Sequence, residues 1–343
     1  MDMITKGLDA PAAPDPRNSP TVGRVPALRS NDHAELVPET DFGGATLELD
    51  LPELHIGVAE YEAGPTGCTV FHFPAGAAAA TDVRGGSPGV LGGYDWVDAI
   101  CFAGGSLYGL EAATGVAAEL LAQRDYAVGW TEVPLVSAAI IFDFGRRDNA
   151  IYPDKGLGRA ALRTAREGIF PLGARGAGRS ATVGKTFAFE QGEPSGQGGA
   201  FRQVGPTKLA VFTVVNAVGA VVDREGEVVR GHLDAVRGSR SRLIDGVERA
   251  LAEGRAPRPT PGNTTLTLVV TNEKLDQRSL RQLARQVHAS LARAIHPFHA
   301  LVDGDVLYAV TTGAVTNERL DSISLGVIAS ELAWDAVLSS VGA

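Results

Sequence analysis

The chain has 343 residues, 44% of them hydrophobic and 21% charged, with a formal net charge of −9 at neutral pH. That length can bury one large core or two modest ones, in an ordinary globular composition. The acidic balance leaves no basic footprint for nucleic acid. Two cysteines cannot build a disulfide framework, and the 42 glycines follow no period that would signal a fibre or solenoid.

Cys68 and Cys101 lack metal-type spacing and are expected as buried free thiols. The opening MDMITKGLDAPAAPDP has no basic-then-apolar signal region, and no uninterrupted 18-residue apolar run follows. A soluble cytoplasmic protein without a membrane partner is the expectation.

Residues 1–45 are rich in Pro, Asp and Asn without period and read as an irregular leader; 46–343 read as one domain. From Leu54 to Phe73 the pattern becomes two strands around the turn Gly64-Pro65-Thr66-Gly67. Glycine pairs follow at Gly85-Gly86, Gly92-Gly93 and Gly104-Gly105. The last leads into a small-residue helix over Ser106 to Leu121, with Ser106 as its cap. Leu135 to Phe144 reads as a strand and Gly158 to Glu167 as a helix. Lys208 to Val222 and Glu227 to Arg230 form a hairpin candidate around Asp223-Arg224-Glu225-Gly226.

The Pro- and Arg-containing segment Gly254 to Pro261 reads as an exposed loop that tolerates backbone cleavage. Gly262-Asn263-Thr264-Thr265 and the apolar run Leu266 to Thr271 come next. Asp276 caps a helix marked by Leu280, Leu283, Val287, Leu291 and Ile295, which Pro297 stops. Val306 to Thr312 is a strand and Ser322 to Val341 a final helix. Sheet and helix alternate in blocks, so the fold class is layered α+β.

Asn and Gly bend a backbone readily and threonines begin strands, which sets a hydroxyl residue at a turn-to-strand junction. Cutting the Asn263–Thr264 bond would leave a hydroxyl and a free α-amine on one residue, a nucleophile with its own general base. Downstream, Asp303-Gly304-Asp305 places two carboxylates two residues apart. They are either a proton-handling network on one strand face or an ordinary Asp-Gly turn, and the other positions of a calcium loop are missing.

Lys185, in Gly184-Lys185-Thr186, resembles the tail of a phosphate loop, but the required upstream glycine is Arg179. It is either a solvated turn residue or a donor near an oxyanion. Asn216, within the apolar Leu209 to Val222 stretch, needs partners if buried and is either a structural hydrogen-bonder or an oxyanion donor. His288, His296 and His299 fit no zinc motif and are expected to be structural. The glycine-rich turn at Gly104-Gly105 lacks the spacing of a dinucleotide glycine pattern.

Several short motifs occur here in a shared order. They are Val83-Arg84-Gly85-Gly86, Gly104-Gly105-Ser106 with Tyr108-Gly109-Leu110-Glu111, and Tyr152-Pro153-Asp154-Lys155. Gly184-Lys185, Gly262-Asn263-Thr264-Thr265, Asp303-Gly304-Asp305 and Ile328-Ala329-Ser330-Glu331 complete the set. Together they resemble the self-cleaving N-terminal-nucleophile hydrolases of the L-aminopeptidase/D-esterase and β-peptidyl aminopeptidase group, on the nylon-oligomer hydrolase branch. The resemblance covers nearly everything after residue 45.

It implies a four-layer α-β-β-α sandwich, self-cleaved between Asn263 and Thr264 into 1–263 and 264–343. It implies Thr264 rather than Thr265 as nucleophile, a choice the local sequence leaves open. Asp303 and Asp305 would organise the hydroxyl and amine, with Lys185 and Asn216 assisting and stabilising negative charge. The implied activity is hydrolysis of amides in ω-amino-acid oligomers such as those of 6-aminohexanoate, without metal or organic cofactor, in a homotetramer of cleaved protomers.

The alternatives are an aminopeptidase or amidase acting on β- or D-residue substrates, and an unprocessed, non-catalytic binding protein. The aminopeptidase members resemble a Ser-x-acid pattern where this chain has Asp-Gly-Asp. One departure concerns substrate binding: relatives carry a tyrosine where this chain has Phe142. A lost donor aimed at an oxyanion costs about 2–4 kcal/mol.

Overall fold

The computed structural model describes residues 29–187, 189–235, 237–254 and 262–342. Nine strands make the main sheet: β1 (His55–Tyr61), β2 (Thr66–Val83), β3 (Val90–Leu91), β4 (Trp96–Ala103), β5 (Val136–Ile140), β6 (Gln197–Val204), β7 (Thr207–Asn216), β8 (Thr264–Glu273) and β9 (Val306–Val315). There are five α-helices among the described residues: α1 (Glu111–Gln123), α2 (Lys155–Arg163), α3 (Leu243–Ala252), α4 (Gln277–Ser290) and α5 (Ser322–Ser339). Of these, α1, α2, α4 and α5 pack on the sheet, whereas α3 buries none of its residues. The hydrogen-bonded order is β6-β7-β8-β9-β2-β4-β5-β3, with β1 also on β2. Pairs β8/β9 and β4/β5 are parallel, and the other pairs are antiparallel.

The 18-residue β2 ties the two halves of this sheet together. Its first part, Thr66 to His72, lies between β1 and β4; its last part, Ala78 to Val83, pairs with β9. Side chains alternate across a strand, so each half shows two faces. Phe71, Phe102, Phe212, Leu266, Leu268, Tyr308 and Val310 meet in one central cluster. Ring centroids of Phe170 and Phe212 lie 4.9 Å apart, and those of Phe71 and Phe212 5.1 Å apart. Such pairs add about 0.5–1.5 kcal/mol each beyond their area.

The opposite face of the β7–β9 half, with Val211, Val215, Val269, Leu307 and Ala309, packs on α4 and α5. The opposite face of the β1–β5 half, with Cys68, Val70, Cys101 and Ala138, packs on α1 and α2. Both cysteines are buried free thiols there, as expected. Helix α5 is long and apolar enough to cross a membrane by composition alone. Here Leu325, Ala329, Leu332 and Ala336 sit in the core, while Glu331 binds Arg224 and Arg293.

Most expected elements appear, with differences in extent: the strand expected over Leu135 to Phe144 is Val136–Ile140, and the helix expected over Gly158 to Glu167 is Lys155–Arg163. The stretch read as one helix from Ser106 begins as a 3-10 turn over Ser106–Leu110, and the Ser106 side chain caps nothing. The strand expected from Lys208 to Val222 ends at Asn216. Ala220–Val222 then pairs with Val228–Arg230 and Ile295–His296 in a separate small sheet. The helix expected to reach Ile295 stops at Ser290, tightens into a 3-10 turn over Leu291–Arg293, and gives Ile295 to that small sheet. In the described part of the leader, Glu39 exchanges two backbone hydrogen bonds of 2.9 Å with Glu60. The expected loop at 254–261 lies outside the described residues except for Gly254.

Helices α1 and α2 approach closely at glycine. A Cβ on Gly158 would stand 2.0 Å from the Ala112 carbonyl oxygen. Overpacking of this kind costs about 1–3 kcal/mol. Gly158→Ala should therefore lower the urea midpoint of unfolding without changing the slope. An unchanged midpoint would contradict the close approach of these helices.

Candidate active site

The last residue of β7 and the first of β8 face each other, so strand register alone sets Asn216 opposite Thr264. One residue upstream, Asn263 bridges Asp303 in parallel just before β9 begins. The Asn263 N–H donates to Val302 O (3.3 Å), and the Gly304 N–H donates to Asn263 O (2.7 Å). Thr264 Oγ1 lies 2.5 Å from the same Asn263 oxygen. A carbonyl therefore carries a backbone donor and a neighbouring hydroxyl at once. Glycine is required at position 304, because a Cβ there would stand 2.7 Å from both the Ser87 carbonyl oxygen and Thr264 Oγ1.

Geometry also separates the two threonines. Thr265 points to the other strand face, and its N–H is held by Asp305 Oδ1 at 2.7 Å. Asp305 Oδ2 accepts the His299 N–H at 3.0 Å and lies 3.0 Å from His299 Nδ1. Asp303 accepts N–H donors from Val218 (3.1 Å) and Ala300 (3.0 Å). The Asp303 N–H in turn closes a turn on Ala300 O at 3.0 Å. The segment is thus both a turn and a pair of inward, fully buried carboxylates. Burial, and next the Asp305 charge, holds Asp303 well above the usual carboxylate range.

Lys185 is 3% exposed, which excludes the solvated-turn reading. Its Nζ lies 3.2 Å from Asn216 Oδ1 and 3.3 Å from Asn216 O. Burial pushes this amine down to about 7; the nearby Arg146 charge acts in the same direction, and Asp303 opposes both. Asn216 Oδ1 also accepts the Thr182 N–H at 3.0 Å, while Nδ2 donates to Phe142 O (3.0 Å) and Gly262 O (3.3 Å). Every position on its amide is engaged.

Phe142 is half-exposed and lines a cavity of about 230 Å³ together with Lys185, Arg146, Phe189 and Gly262. The glycine motifs hold these parts from behind. Gly85 leaves no space for a Cβ, which would stand 2.2 Å from Asp305 N. Arg84 and Gly85 donate N–H groups to Asp305 O, and Ser87 donates to Asp303 O. Gly105 N–H, Thr66 Oγ1 and Arg147 clamp the Asp143 carboxylate, which fixes the segment after Phe142.

Residues 49–341 match the model of Peptidase family S58. The chain belongs to this family. It is 45% identical over 345 residues to the 6-aminohexanoate-oligomer endohydrolase of Kocuria sp. (strain KY2), covering 97% of this chain and 96% of that protein. The protein of that name from Paenarthrobacter ureafaciens is also 45% identical, with the same coverage. A putative NylC-analogous protein of Agromyces sp. (strain KY5R) is 48% identical over 304 residues, covering 86% of this chain and 99% of that one.

Among solved structures, an L-aminopeptidase D-Ala-esterase/amidase from Ochrobactrum anthropi, described as a variant of the Ntn-hydrolase fold, aligns with a TM-score of 0.61. It is 13% identical, with 88% of each chain covered. A Burkholderia sp. β-aminopeptidase aligns at 0.59 with 17% identity and 84% of each chain covered. These two bear on fold alone. As an S58 peptidase-family member with such relatives, the protein is a hydrolase of peptide-like amide bonds.

All of Thr264, Lys185, Asn216, Asp303, Asp305 and Asn263 converge in this S58 chain, and Phe142 lines the cavity that Lys185 shares. Two groups that sequence reasoning missed join them. The Gly304 amide carries no side-chain signal. The sequence groups His299 with structural histidines, and its position four residues before Asp303 is the one local hint. His288 does fit the structural reading, with Nδ1 2.9 Å from Asp82 Oδ2, and His296 is exposed.

The depressed Lys185 has a pH consequence. Unfolding returns this amine to its ordinary 10.5, so the unfolded chain binds the extra proton between about 7 and 10.5. Stability from this group therefore rises with pH across that window. The difference in urea midpoint between wild type and Lys185→Met should shift toward wild type as pH increases from 7 to 10. A difference independent of pH would contradict a neutral buried amine.

Proposed function

We propose that this S58 hydrolase is a self-processing N-terminal threonine amidase that cleaves ω-amino-acid oligomers through an acyl-enzyme. The carrying observation is the Asn263–Thr264 peptide, whose carbonyl oxygen has Thr264 Oγ1 at 2.5 Å and the Gly304 N–H at 2.7 Å. In the precursor, Thr264 Oγ attacks the Asn263 carbonyl carbon. The Gly304 amide stabilises the developing oxyanion, as a fixed donor does best in a dry site. The hydroxyl proton passes to the departing Thr264 nitrogen, the C–N bond breaks, and an ester joins Asn263 to Thr264 Oγ. Water then hydrolyses the ester, releasing the Asn263 carboxylate and a free N-terminal threonine.

The mature Thr264 repeats the attack on an external amide. Its α-amine, with a reference pKa of about 7.7–8.0, serves as general base near neutral pH. Asp303 and Asp305 position the Thr264–Thr265 backbone and hold protons. Lys185, whose amine burial holds down to about 7, assists. One Asn216 N–H is bonded to Gly262 O in the uncleaved chain. Departure of that segment frees it to donate to the substrate oxyanion, which compensates for the phenyl ring of Phe142.

The four-layer α-β-β-α arrangement belongs to the same reading. It is supported by three apolar clusters in series: helices on one half-sheet, the two half-sheets on each other, and helices on the second half-sheet. The ω-amino-acid substrate is supported by 45% identity, nearly end to end, with proteins named 6-aminohexanoate-oligomer endohydrolase.

Thr264→Ala should give one uncleaved chain that hydrolyses no 6-aminohexanoate oligomer, a loss of at least about 10³-fold in kcat. Mass spectrometry and amine release measure both. A processed or active Thr264→Ala protein would remove Thr264 from the scheme.

A further inference from the structure

The cavity beside Phe142 can be assigned to one side of the scissile bond. In the precursor the chain is its own first substrate, and Gly262-Asn263 is the acyl portion of that substrate. Gly262 lines the cavity and packs on the Phe142 ring, where a Cβ would meet Cγ at 2.7 Å. An external acyl chain joined to Thr264 therefore extends toward this space.

The walls combine aromatic surface with positive charge. Phe142 and Phe189 offer apolar area to a methylene chain. Arg146 donates to Gly192 O, and its guanidinium carbon lies 5.8 Å from the Phe189 ring centroid. It forms no ion pair among the described residues, so most of its five N–H donors remain for a ligand. The neighbouring Arg147 differs, since it is buried in an ion pair with Asp143. Asp143 is the carboxylate among the lining residues, and its two oxygens are consumed by Arg147, Gly105 and Thr66. Lys185 also lines the cavity, which leaves the positive charge of Arg146 uncompensated there.

We infer that this cavity is the acyl-side subsite and that Arg146 selects acyl chains with an uncharged or carboxylate-bearing far end against those ending in an ammonium. The inference rests on the amidase reading above and deepens it. A chain blocked at its amino end, as in the interior of an oligomer, is accepted; a short acyl group with a free amine is repelled. Arg146 thereby favours internal cleavage over aminopeptidase action.

The test uses three p-nitroanilides of matched length on the processed enzyme at low ionic strength: adipoyl, hexanoyl and 6-aminohexanoyl. Adipoyl should exceed 6-aminohexanoyl in kcat/KM by about tenfold, the scale of one charge-assisted contact. Added salt should narrow the gap, because Arg146 is solvent-accessible. In Arg146→Gln, with self-processing checked by mass, the ratio should fall toward one. Equal rates, a preference for the ammonium substrate, or a ratio unchanged in the variant would overturn the assignment of Arg146 while leaving the amidase reading intact. Hydrolysis of none of the three would overturn both.

Discussion

A single backbone junction organises the site: the start of β8 lies beside the turn that launches β9, joined by the Gly304 N–H on the Asn263 carbonyl. Parallel strands rarely meet at their first residues without long connections between them. Here α4 supplies that connection, running back over the sheet from Asp276 to Ser290. The consequence is chemical as well as topological. The peptide preceding Thr264 is held with a donor on its oxygen and a hydroxyl against it. β7 closes the site from the other edge, because its pairing with β8 ends at Asn216 and Thr264.

The electrostatics follow from burying an amine and two carboxylates in one small volume. Charges removed from water are costly unless paired or neutralised. Asp305 is met by two N–H donors and His299; Asp303 by two N–H donors and the more distant Lys185. The opposed shifts of Lys185 and Asp303 bring an ammonium and a carboxyl group toward the same range. Groups whose environments bring them near working pH are suited to exchange protons. On this account the site is a proton-handling network around one nucleophile.

Local chemistry made some of this legible in the sequence. The Asn-Thr junction before an apolar run marked the start of β8. The Asp276 cap and the Leu280, Leu283 and Val287 stripe marked α4. What escaped depended on long-range backbone bonds. The apolar stretch through Val222 hid the end of β7, which comes where Val218 N–H turns to Asp303 and the carbonyls of Val218 and Gly219 turn to Lys185 and Gly184. Ile295 kept the helical period, yet pairs with Val221 instead. The Gly85-Gly86 pair signalled only resemblance until the Asp303–Asp305 backbone was seen against it. Arg146 and the Gly304 amide carried no local pattern at all.

The proposed mechanism requires the Asn263–Thr264 peptide to break. The most direct measurement is the intact mass and N-terminal sequence of the purified wild-type protein, denatured after incubation at neutral pH. Two chains are expected, the smaller beginning Thr264-Thr265-Leu266. A single full-length chain persisting over days, or a break at any other bond, would contradict the mechanism.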